Sequence, residues 1–167
     1  MLNSKPTQRG NYQQGLYTPQ NKNKVVKLNN EGGLYFRSSW EKRIMIWLDY
    51  LAGTGKVARW GAEFIEIKYN DMMGKPHRYY PDFYVEMCID GNPDKFKRMV
   101  LEVKPMNETK PPVLPKNANS KKLETFEYQI KTYTKNVYKW ERAKEYCKAR
   151  DLEFYIITEK HLNRIKE

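Results

Sequence analysis

Two stretches with strand-like alternation, separated by a strong turn signal, constrain the fold of this chain more than any other feature. The first covers residues 79–89, and one of its faces is apolar, with Phe83, Val85, Met87 and Ile89. The second covers residues 99–104, where Met99, Leu101 and Val103 alternate with Val100, Glu102 and Lys104. The sequence between them, Asp90-Gly91-Asn92-Pro93, is rich in turn-forming residues. The pattern predicts two neighbouring strands joined as a hairpin.

The remaining periodicity predicts an α/β domain with a mixed β-sheet flanked by helices, in the order α-β-β-β-α-β. Apolar residues at helical spacing between Trp40 and Leu51 predict a first helix that ends at Gly53 and Gly55. Alternation at residues 65–69 predicts a first strand. A long loop at 105–122 and a second helix at 123–150 follow, and an apolar strand at 154–158 comes last. The predicted buried face of the second helix comprises Leu123, Phe126, Ile130, Tyr133, Val137, Trp140 and Cys147.

Positive charge dominates the composition. The chain has 31 Lys or Arg residues against 20 Asp or Glu, and its formal net charge is +11. Such an excess indicates a polyanionic partner, because a basic surface gains affinity by releasing counterions from phosphates. Residues 1–30 contain basic but no acidic side chains and show no apolar period. We therefore predict a flexible basic N-terminal arm at 1–33, which is either a solvated tail or docks on DNA or protein, and a folded domain at 34–167.

Three charged residues, Asp82, Glu102 and Lys104, suggest chemistry because they interrupt segments that otherwise resemble a core. Glu102 and Lys104 are two apart on a strand and project from one face, and a hairpin allows Asp82 to lie beside Glu102. Two adjacent carboxylates repel each other unless a cation lies between them. Mg²⁺ accepts two carboxylates and a backbone carbonyl such as that of Val103, and a lysine can stabilise charge on a phosphate. The pattern predicts phosphodiester hydrolysis with Mg²⁺, for which Mn²⁺ could substitute.

Each of these residues also has a structural interpretation. Asp82 follows Pro81 and could start a strand or form a turn. Glu102 and Lys104 could be an ion pair on an exposed sheet face. Glu63 and Glu66 are further acidic candidates.

The sequence Pro81-Asp82, followed by Glu102-Val103-Lys104, resembles the PD-(D/E)xK motif of restriction-endonuclease-like nucleases, including the hairpin order of its strands. The resemblance implies a restriction-endonuclease-like core with an acidic residue on a helix before the first strand, a place that Glu41 occupies. It thus implies a catalytic set of Asp82, Glu102, Lys104 and Glu41, with the metal bound by Glu41, Asp82, Glu102 and the Val103 carbonyl. Ser38-x-x-Glu41 is also a capping box, which gives Glu41 a structural alternative.

A more extended resemblance, covering nearly all of the chain from residue 34, is to the head completion nucleases of T4-like tailed phages. It is carried by Tyr35-Phe36-Arg37-Ser38-Ser39-Trp40-Glu41, Tyr80-Pro81-Asp82-Phe83-Tyr84, Lys110-Pro111-Pro112 and Ile156-Ile157-Thr158-Glu159, among others. The resemblance implies an endonuclease that processes packaged DNA ends during head completion. It also implies portal or head–tail connector proteins as partners, and a place in the host cytoplasm during assembly or in the virion.

Basic residues outside the motif are candidates for DNA contact. Lys131, Lys135, Lys139 and Arg142 recur at intervals of three and four on the side of the second helix opposite its apolar stripe, where a solvated face is the alternative. Lys110 and Lys116 lie in the long loop, and Arg78 precedes the catalytic strand. Gln129 and Tyr133 form a Q-x-x-x-Y spacing, from which we take Gln129 as a candidate neighbour of the metal ligands and Tyr133 as a core residue.

Several other kinds of site are not expected. Two histidines and two distant cysteines, predicted to be reduced thiols, give no zinc-site spacing. The sequence has neither a glycine-rich loop for a nucleotide cofactor nor an apolar run for a membrane span. Two functional alternatives remain. One is a catalytically silent head completion protein that keeps the nuclease fold, and the other is a basic nucleic-acid-binding module, which would leave the paired carboxylates unexplained.

Overall fold

The computed structural model describes residues 13–165, which form eight strands and three α-helices. The strands are β1 (Gly15–Tyr17), β2 (Leu34–Phe36), β3 (Val57–Ala62), β4 (Ile67–Asn70), β5 (Pro76–Tyr79), β6 (Phe83–Ile89), β7 (Asn92–Val103) and β8 (Glu153–Ile157). The helices are α1 (Ser39–Gly53), α2 (Ser120–Lys148) and α3 (Glu159–Leu162). Short 3-10 turns occur at Lys22–Lys24 and Met106–Thr109.

Four strands form the central sheet, in the order β3-β6-β7-β8. The first three are antiparallel neighbours, and β8 runs parallel to β7. Side chains of α1, including Ile44 and Leu48, join one core on one face of the sheet, whereas Ala143 and Cys147 of α2 join a second core on the other face. The prediction of an α/β fold with a mixed sheet flanked by helices is confirmed.

The first helix begins and ends where the sequence predicts. Ser38 caps its N-terminus, because Ser38 Oγ accepts a hydrogen bond of 3.1 Å from Glu41 N. The helix ends at Gly53, and the chain leaves it through Gly55, whose φ of +78° suits a residue without a Cβ. The buried apolar stripe between these ends holds α1 on the sheet. Each large apolar side chain that is fully buried contributes about 1.5–3 kcal/mol to the free energy of folding.

The first predicted strand was assigned to the wrong part of the sheet. The segment predicted at 65–69 contributes β4, which pairs with β5 in a separate hairpin, while β3 is the strand that lies next to β6. No simple alternation marks β3, because Trp60 and Gly61 are successive buried residues. The strand predicted at 79–89 is correspondingly split, with Tyr79 ending β5 and Phe83 beginning β6. The predicted order therefore lacked the inserted β4–β5 hairpin.

The N-terminal segment from residue 13 to 33 is packed on the domain, contrary to the prediction of a flexible arm that reaches residue 33. Asp49 on α1 accepts hydrogen bonds from Tyr17 OH at 2.8 Å, from Gln20 N at 2.7 Å and from Asn21 N at 3.0 Å. Gly61 allows the same segment a close approach, since a Cβ there would lie 2.5 Å from Val26 Cγ2. The segment is held by hydrogen bonds and by isolated packing contacts. Neither kind of interaction requires a periodic pattern of apolar residues, so no sequence pattern indicates it. Residues 1–12 of the predicted arm lie outside the described residues.

The apolar stripe predicted on the second helix is buried in its C-terminal half alone. Trp140, Ala143 and Cys147 are buried, whereas Leu123 and Ile130 are each 41% exposed. The reason is length: α2 has 29 residues and extends about 44 Å, whereas the five-residue β8 on which it packs extends about 17 Å. The N-terminal half of α2 therefore reaches past the sheet.

Both cysteines, Cys88 and Cys147, are free thiols, as predicted. Within residues 13–165, no helix is long and apolar enough to cross a membrane.

Candidate active site

The register between β6 and β7 brings Asp82 and Glu102 side by side. Phe83 pairs with Leu101 and Tyr84 with Val100, so one further step of the same register places Asp82 opposite Glu102. Tyr84 and Val100 point into the core beneath α2. Because side chains alternate along a strand, Asp82 and Glu102 lie on that same face of the sheet.

Asp82 is held where the ladder between the two strands ends. Its Oδ2 accepts a hydrogen bond of 2.6 Å from Val103 N, and its backbone carbonyl accepts one of 3.0 Å from Glu63 N. Burial and the charge of Glu102 raise the pKa of Asp82 to about 8, despite the opposing effects of the Val103 N–H and of Lys104. The Val103 N–H and Lys104 therefore offset only part of the cost of burying two carboxylates side by side.

Glu102 is buried, with 4% of its surface exposed, and both of its oxygens have partners. Tyr79 OH donates a hydrogen bond of 2.7 Å to Oε2, and Lys104 Nζ lies 3.1 Å from Oε1. Burial disfavours the cationic form of Lys104, but the charges of Glu102 and Asp82 outweigh it and raise the pKa of that ammonium. Lys104 is therefore a fixed positive charge beside the two acids.

Glu41 lies near this pair, but its carboxylate is engaged in the cap of α1. Glu41 Oε2 accepts a hydrogen bond of 2.9 Å from Arg37 N, and Oε1 accepts one of 2.9 Å from Ser38 Oγ. Its charge still contributes to raising the pKa of Asp82. The capping interaction foreseen as the alternative for Glu41 is therefore present, with Arg37 N in place of Ser38 N as the backbone donor. Glu63 and Glu66, the other acidic candidates, pair with Arg37 and with Arg78, respectively.

The structure brings Lys139 of α2 to the site. Its Nζ lies 5.3 Å from the centre of the Tyr79 ring, and the Tyr79 hydroxyl in turn bonds to Glu102. Burial and the neighbouring Lys135 lower the pKa of Lys139, whereas Glu102 and Asp82 act in the opposite direction. The prediction that Lys139 lies on the helix side opposite the packed face was wrong, because α2 rests on the β4–β5 hairpin as well as on β8.

Two of the other basic candidates contact neighbouring side chains. Arg142 lies over the Tyr138 ring at 5.7 Å and pairs with Glu145 at 2.6 Å, and Arg78 lies 3.7 Å from Glu66. The four remaining candidates are exposed and comprise Lys110, Lys116, Lys131 and Lys135.

Gln129 is exposed on the part of α2 that reaches past the sheet. It lines a cleft of about 460 Å³ together with Pro111 and Tyr133. Ten residues separate it from Lys139, which is about 15 Å along a helix axis. Gln129 stays a candidate at this cleft, and Tyr133 is half-buried at the same cleft rather than in the core.

The donor set suits a hard divalent cation. Among residues 13–165, no group of three or more acidic, histidine or cysteine side chains is close enough to form a metal cluster. The candidate donors are the carboxylates of Asp82 and Glu102 and the backbone carbonyl of Val103, which suits the few oxygen ligands that Mg²⁺ takes from proteins. Burial and the charge of Glu102 raise the pKa of Asp82, and a cation between the two acids would relieve the second of these effects.

Sequence reasoning did not identify Tyr79 as a functional residue. Tyr79 is the first residue of the strand predicted at 79–89, where no role is assigned to it, and it is 4% exposed. A usable signal was present, however, because a buried tyrosine hydroxyl requires a hydrogen-bond partner, and Tyr79 precedes Asp82 by three residues.

Comparisons with known proteins show the family of this chain. The family model described as TnsA-like endonuclease N terminal matches residues 54–159, which include β3 to β8 and the residues Asp82, Glu102 and Lys104. The head completion nuclease of Enterobacteria phage T4 is 32% identical over 131 residues, which cover 78% of this chain and 81% of that protein. No solved structure gives a significant match. Since the family model spans well over half of the chain, this chain belongs to the TnsA-like endonuclease N-terminal family and has a restriction-endonuclease-like fold.

Proposed function

We propose that this protein is a Mg²⁺-dependent deoxyribonuclease that cleaves DNA internally. The observation that carries the proposal is the pairing of Asp82 with Glu102 on one sheet face, beside the fixed ammonium of Lys104. Two acids and a lysine at the edge of a basic protein are suited to phosphodiester hydrolysis, in which negative charge develops on the phosphate.

In this proposal, Asp82 and Glu102 hold the cation together with the Val103 carbonyl. Glu41 would join them after releasing Arg37 N and Ser38. When bound, the cation would supply positive charge at the phosphate and would lower the pKa of the attacking water. Lys104 stabilises the scissile phosphate or orients the water, and Tyr79 fixes the position of the Glu102 carboxylate through its 2.7 Å hydrogen bond. The other basic candidates position the DNA through its phosphates.

The biological role that we propose is the processing of packaged DNA ends during head completion of a tailed phage. It is supported by the 32% identity to the T4 head completion nuclease across most of both chains. The same role would make portal or head–tail connector proteins the partners, and the host cytoplasm or the virion the place of action.

Purified protein, incubated with circular and linear DNA, tests the proposal. Cleavage should require Mg²⁺ or Mn²⁺ and should fall at least about a hundredfold in Asp82→Ala, which removes a metal ligand, and in Lys104→Ala, which removes positive charge at the phosphate. Lys97→Ala is a matched control, since Lys97 lies near the middle of the same strand, five residues before Glu102, and pairs with Glu153. Cuts in circular DNA show internal cleavage.

Activity that survives both substitutions would falsify the assignment of the site. A catalytically silent protein that keeps the fold is distinguished by calorimetry, since the proposed site binds Mg²⁺ in the wild type and loses that binding in Asp82→Ala.

A further inference from the structure

The β4–β5 hairpin carries two exposed methionines at its tip. Met72 is 75% exposed and Met73 is 93% exposed. The turn that holds them is well ordered by hydrogen bonds, because Asp71 Oδ1 accepts from Met73 N at 2.9 Å and from Lys75 N at 3.0 Å. Gly74 supplies the left-handed residue that closes the turn, with φ of +78°. The two apolar side chains are therefore largely exposed on a fixed turn, where they also line the cavity between the hairpin and α2.

A basic groove separates this hairpin from α2. It consists of two adjoining cavities of about 980 Å³ and 520 Å³, which share Tyr69, Asp71, His77 and Tyr138 as lining residues. The cationic side chains along the groove are Lys68, Arg78, Lys131, Lys135 and Arg142. Asp71 is the one acid among the described residues that line it, and its carboxylate is occupied by Met73 N, Lys75 N and His77 Nε2. The groove therefore presents positive charge to a ligand.

Two of these cations face each other across the hairpin. Lys68 and Arg78 are direct cross-strand partners, an arrangement that destabilises a hairpin in the absence of a counterion. The Glu66 carboxylate offsets only part of this repulsion, because its oxygens lie 3.9 Å from Lys68 Nζ and 3.7 Å from the Arg78 guanidinium. An anionic ligand along the hairpin would remove the remaining repulsion.

The hairpin is also continuous with the candidate active site. Its last residue, Tyr79, donates to Glu102, and the chain reaches Asp82 three residues later. The hairpin that forms one wall of the groove is therefore linked directly to the carboxylate pair.

We propose that the β4–β5 hairpin enters the major groove of duplex DNA, with Met72 and Met73 against the base edges and the groove cations against the phosphates. The major groove is wide enough for a two-stranded ribbon. The inference rests on the proposed DNA substrate and extends it to a substrate class, namely duplex rather than single-stranded DNA. Met73 lies six residues before Tyr79, on the order of 15–20 Å, so the tip contacts base pairs about five steps from the cleaved phosphate. Thioether side chains read shape and methyl groups rather than hydrogen-bond patterns, which predicts weak sequence preference.

Fluorescence anisotropy without divalent metal tests the inference, using one sequence as a duplex and as a single strand. The double variant M72S/M73S should bind the duplex on the order of tenfold more weakly, because apolar contact is lost, with the single strand unaffected and the salt dependence unchanged. K68Q/R78Q should reduce the slope of log affinity against log salt by about two, one for each lost phosphate contact.

Two control pairs match these variants on other surfaces. I46S/Y50S removes exposed apolar side chains from α1, on the opposite face of the sheet, and K56Q/K95Q removes exposed cations at the end of the sheet far from Asp82. Neither pair should alter binding. Circular dichroism and thermal unfolding show that each variant is folded.

Unchanged duplex affinity in M72S/M73S would overturn the inference. A tip that contacts a protein instead of DNA would give this result. An equal loss for duplex and single strand would also overturn it, because a major-groove contact requires a duplex. These outcomes are separable from failure of the proposed function, which would appear as absence of metal-dependent cleavage by the wild type.

Discussion

The hydroxyl of Tyr79 donates a 2.7 Å hydrogen bond to Glu102 Oε2, linking the β4–β5 hairpin to the acid at the end of β7. Burial and the charge of Glu102 raise the pKa of Tyr79 far above its ordinary value, so the phenol remains a donor at every working pH. One hydrogen bond therefore fixes the orientation of a proposed metal ligand.

Tyr79→Phe should weaken Mg²⁺ binding and lower kcat by about tenfold, because groups that orient a metal ligand typically contribute that much. The free energy of unfolding should fall by about 1 kcal/mol, the usual value of a single hydrogen bond. Calorimetric metal titration and initial cleavage rates measure the first two effects, and urea unfolding measures the third.

Tyr84→Phe is the matched control for this substitution. Tyr84 is also a buried tyrosine on the same sheet face, and its hydroxyl donates 2.8 Å to Glu86, a carboxylate that Arg59 holds at 2.9 Å. Tyr84→Phe should lower the free energy of unfolding by a similar amount and leave the affinity for Mg²⁺ unchanged. Equal losses of metal affinity in both variants would show that Tyr79 has no special relation to the site.

The raised pKa of Asp82 predicts an unusual pH dependence of stability in metal-free protein. An aspartate in an unfolded chain titrates near pH 4, whereas Asp82 in the folded protein titrates at about 8. Between these values the folded state keeps a proton that the unfolded state has released, so the free energy of unfolding falls as pH rises through this window. Asp82→Asn should match the wild type near pH 4 and exceed it by on the order of 1–3 kcal/mol at pH 8. Urea unfolding at several pH values measures the difference.

Mg²⁺ has to displace this proton in order to bind. Its affinity should therefore rise with pH up to about 8, by as much as about tenfold per unit, and binding should release a proton. Calorimetry in buffers of different ionisation enthalpy detects that release. An affinity independent of pH between 6 and 8 is incompatible with the assigned titration.

The sequence was sufficient to predict the sheet flanked by helices and the neighbouring positions of Asp82 and Glu102. These depend on local signals, namely alternation in β6 and β7 and the turn at Asp90 and Gly91, which determine the register and hence the shared face. The helical stripe of α1 and its glycine end are equally local.

Features that depend on contacts distant in sequence could not be predicted in this way. The insertion of β4–β5 depends on α2 packing over it, and the N-terminal segment depends on Asp49, some thirty residues further along the chain. Lys139 has the sequence neighbours of a solvated face, and its place above Tyr79 results from tertiary packing. The residues next to a polar side chain in the sequence do not indicate which distant residues it will contact.

The contacts of Asp49 predict a strong effect on stability. Burial alone would raise the pKa of Asp49, but hydrogen bonds from Gln20 N, Asn21 and Tyr17 lower it below its ordinary value. The hydrogen bonds to the ionised Asp49 carboxylate therefore stabilise the fold fully above about pH 4, and this stabilisation is lost as the pH falls through the lowered pKa of Asp49. Asp49→Ala leaves the backbone donors unpaired and should cost about 2–3 kcal/mol. Urea unfolding measures this loss.

Two comparison variants separate the contributions at this site. Tyr17→Phe removes one of the hydrogen bonds and should cost about 1 kcal/mol. Asp94→Ala, at an exposed position on β7, should change stability by less than about 0.5 kcal/mol. An Asp49→Ala variant as stable as Asp94→Ala would show that residues 13–33 contribute little to the folded domain.

Two residues of α2 that sequence reasoning linked to function should differ sharply in effect. Lys139 lies over Tyr79 and acts electrostatically on Glu102 and Asp82, so Lys139→Gln should lower kcat/KM by about tenfold. Gln129 lies about 15 Å further along the helix, and Gln129→Ala should change kcat/KM less than about twofold. Lys144→Gln controls for loss of charge on the same helix, because Lys144 is exposed and pairs with Glu141. Initial rates on linear duplex DNA at fixed salt measure all three. A larger loss in Gln129→Ala than in Lys139→Gln would mean that α2 approaches the DNA with its N-terminal half, and that the site extends past the edge of the sheet.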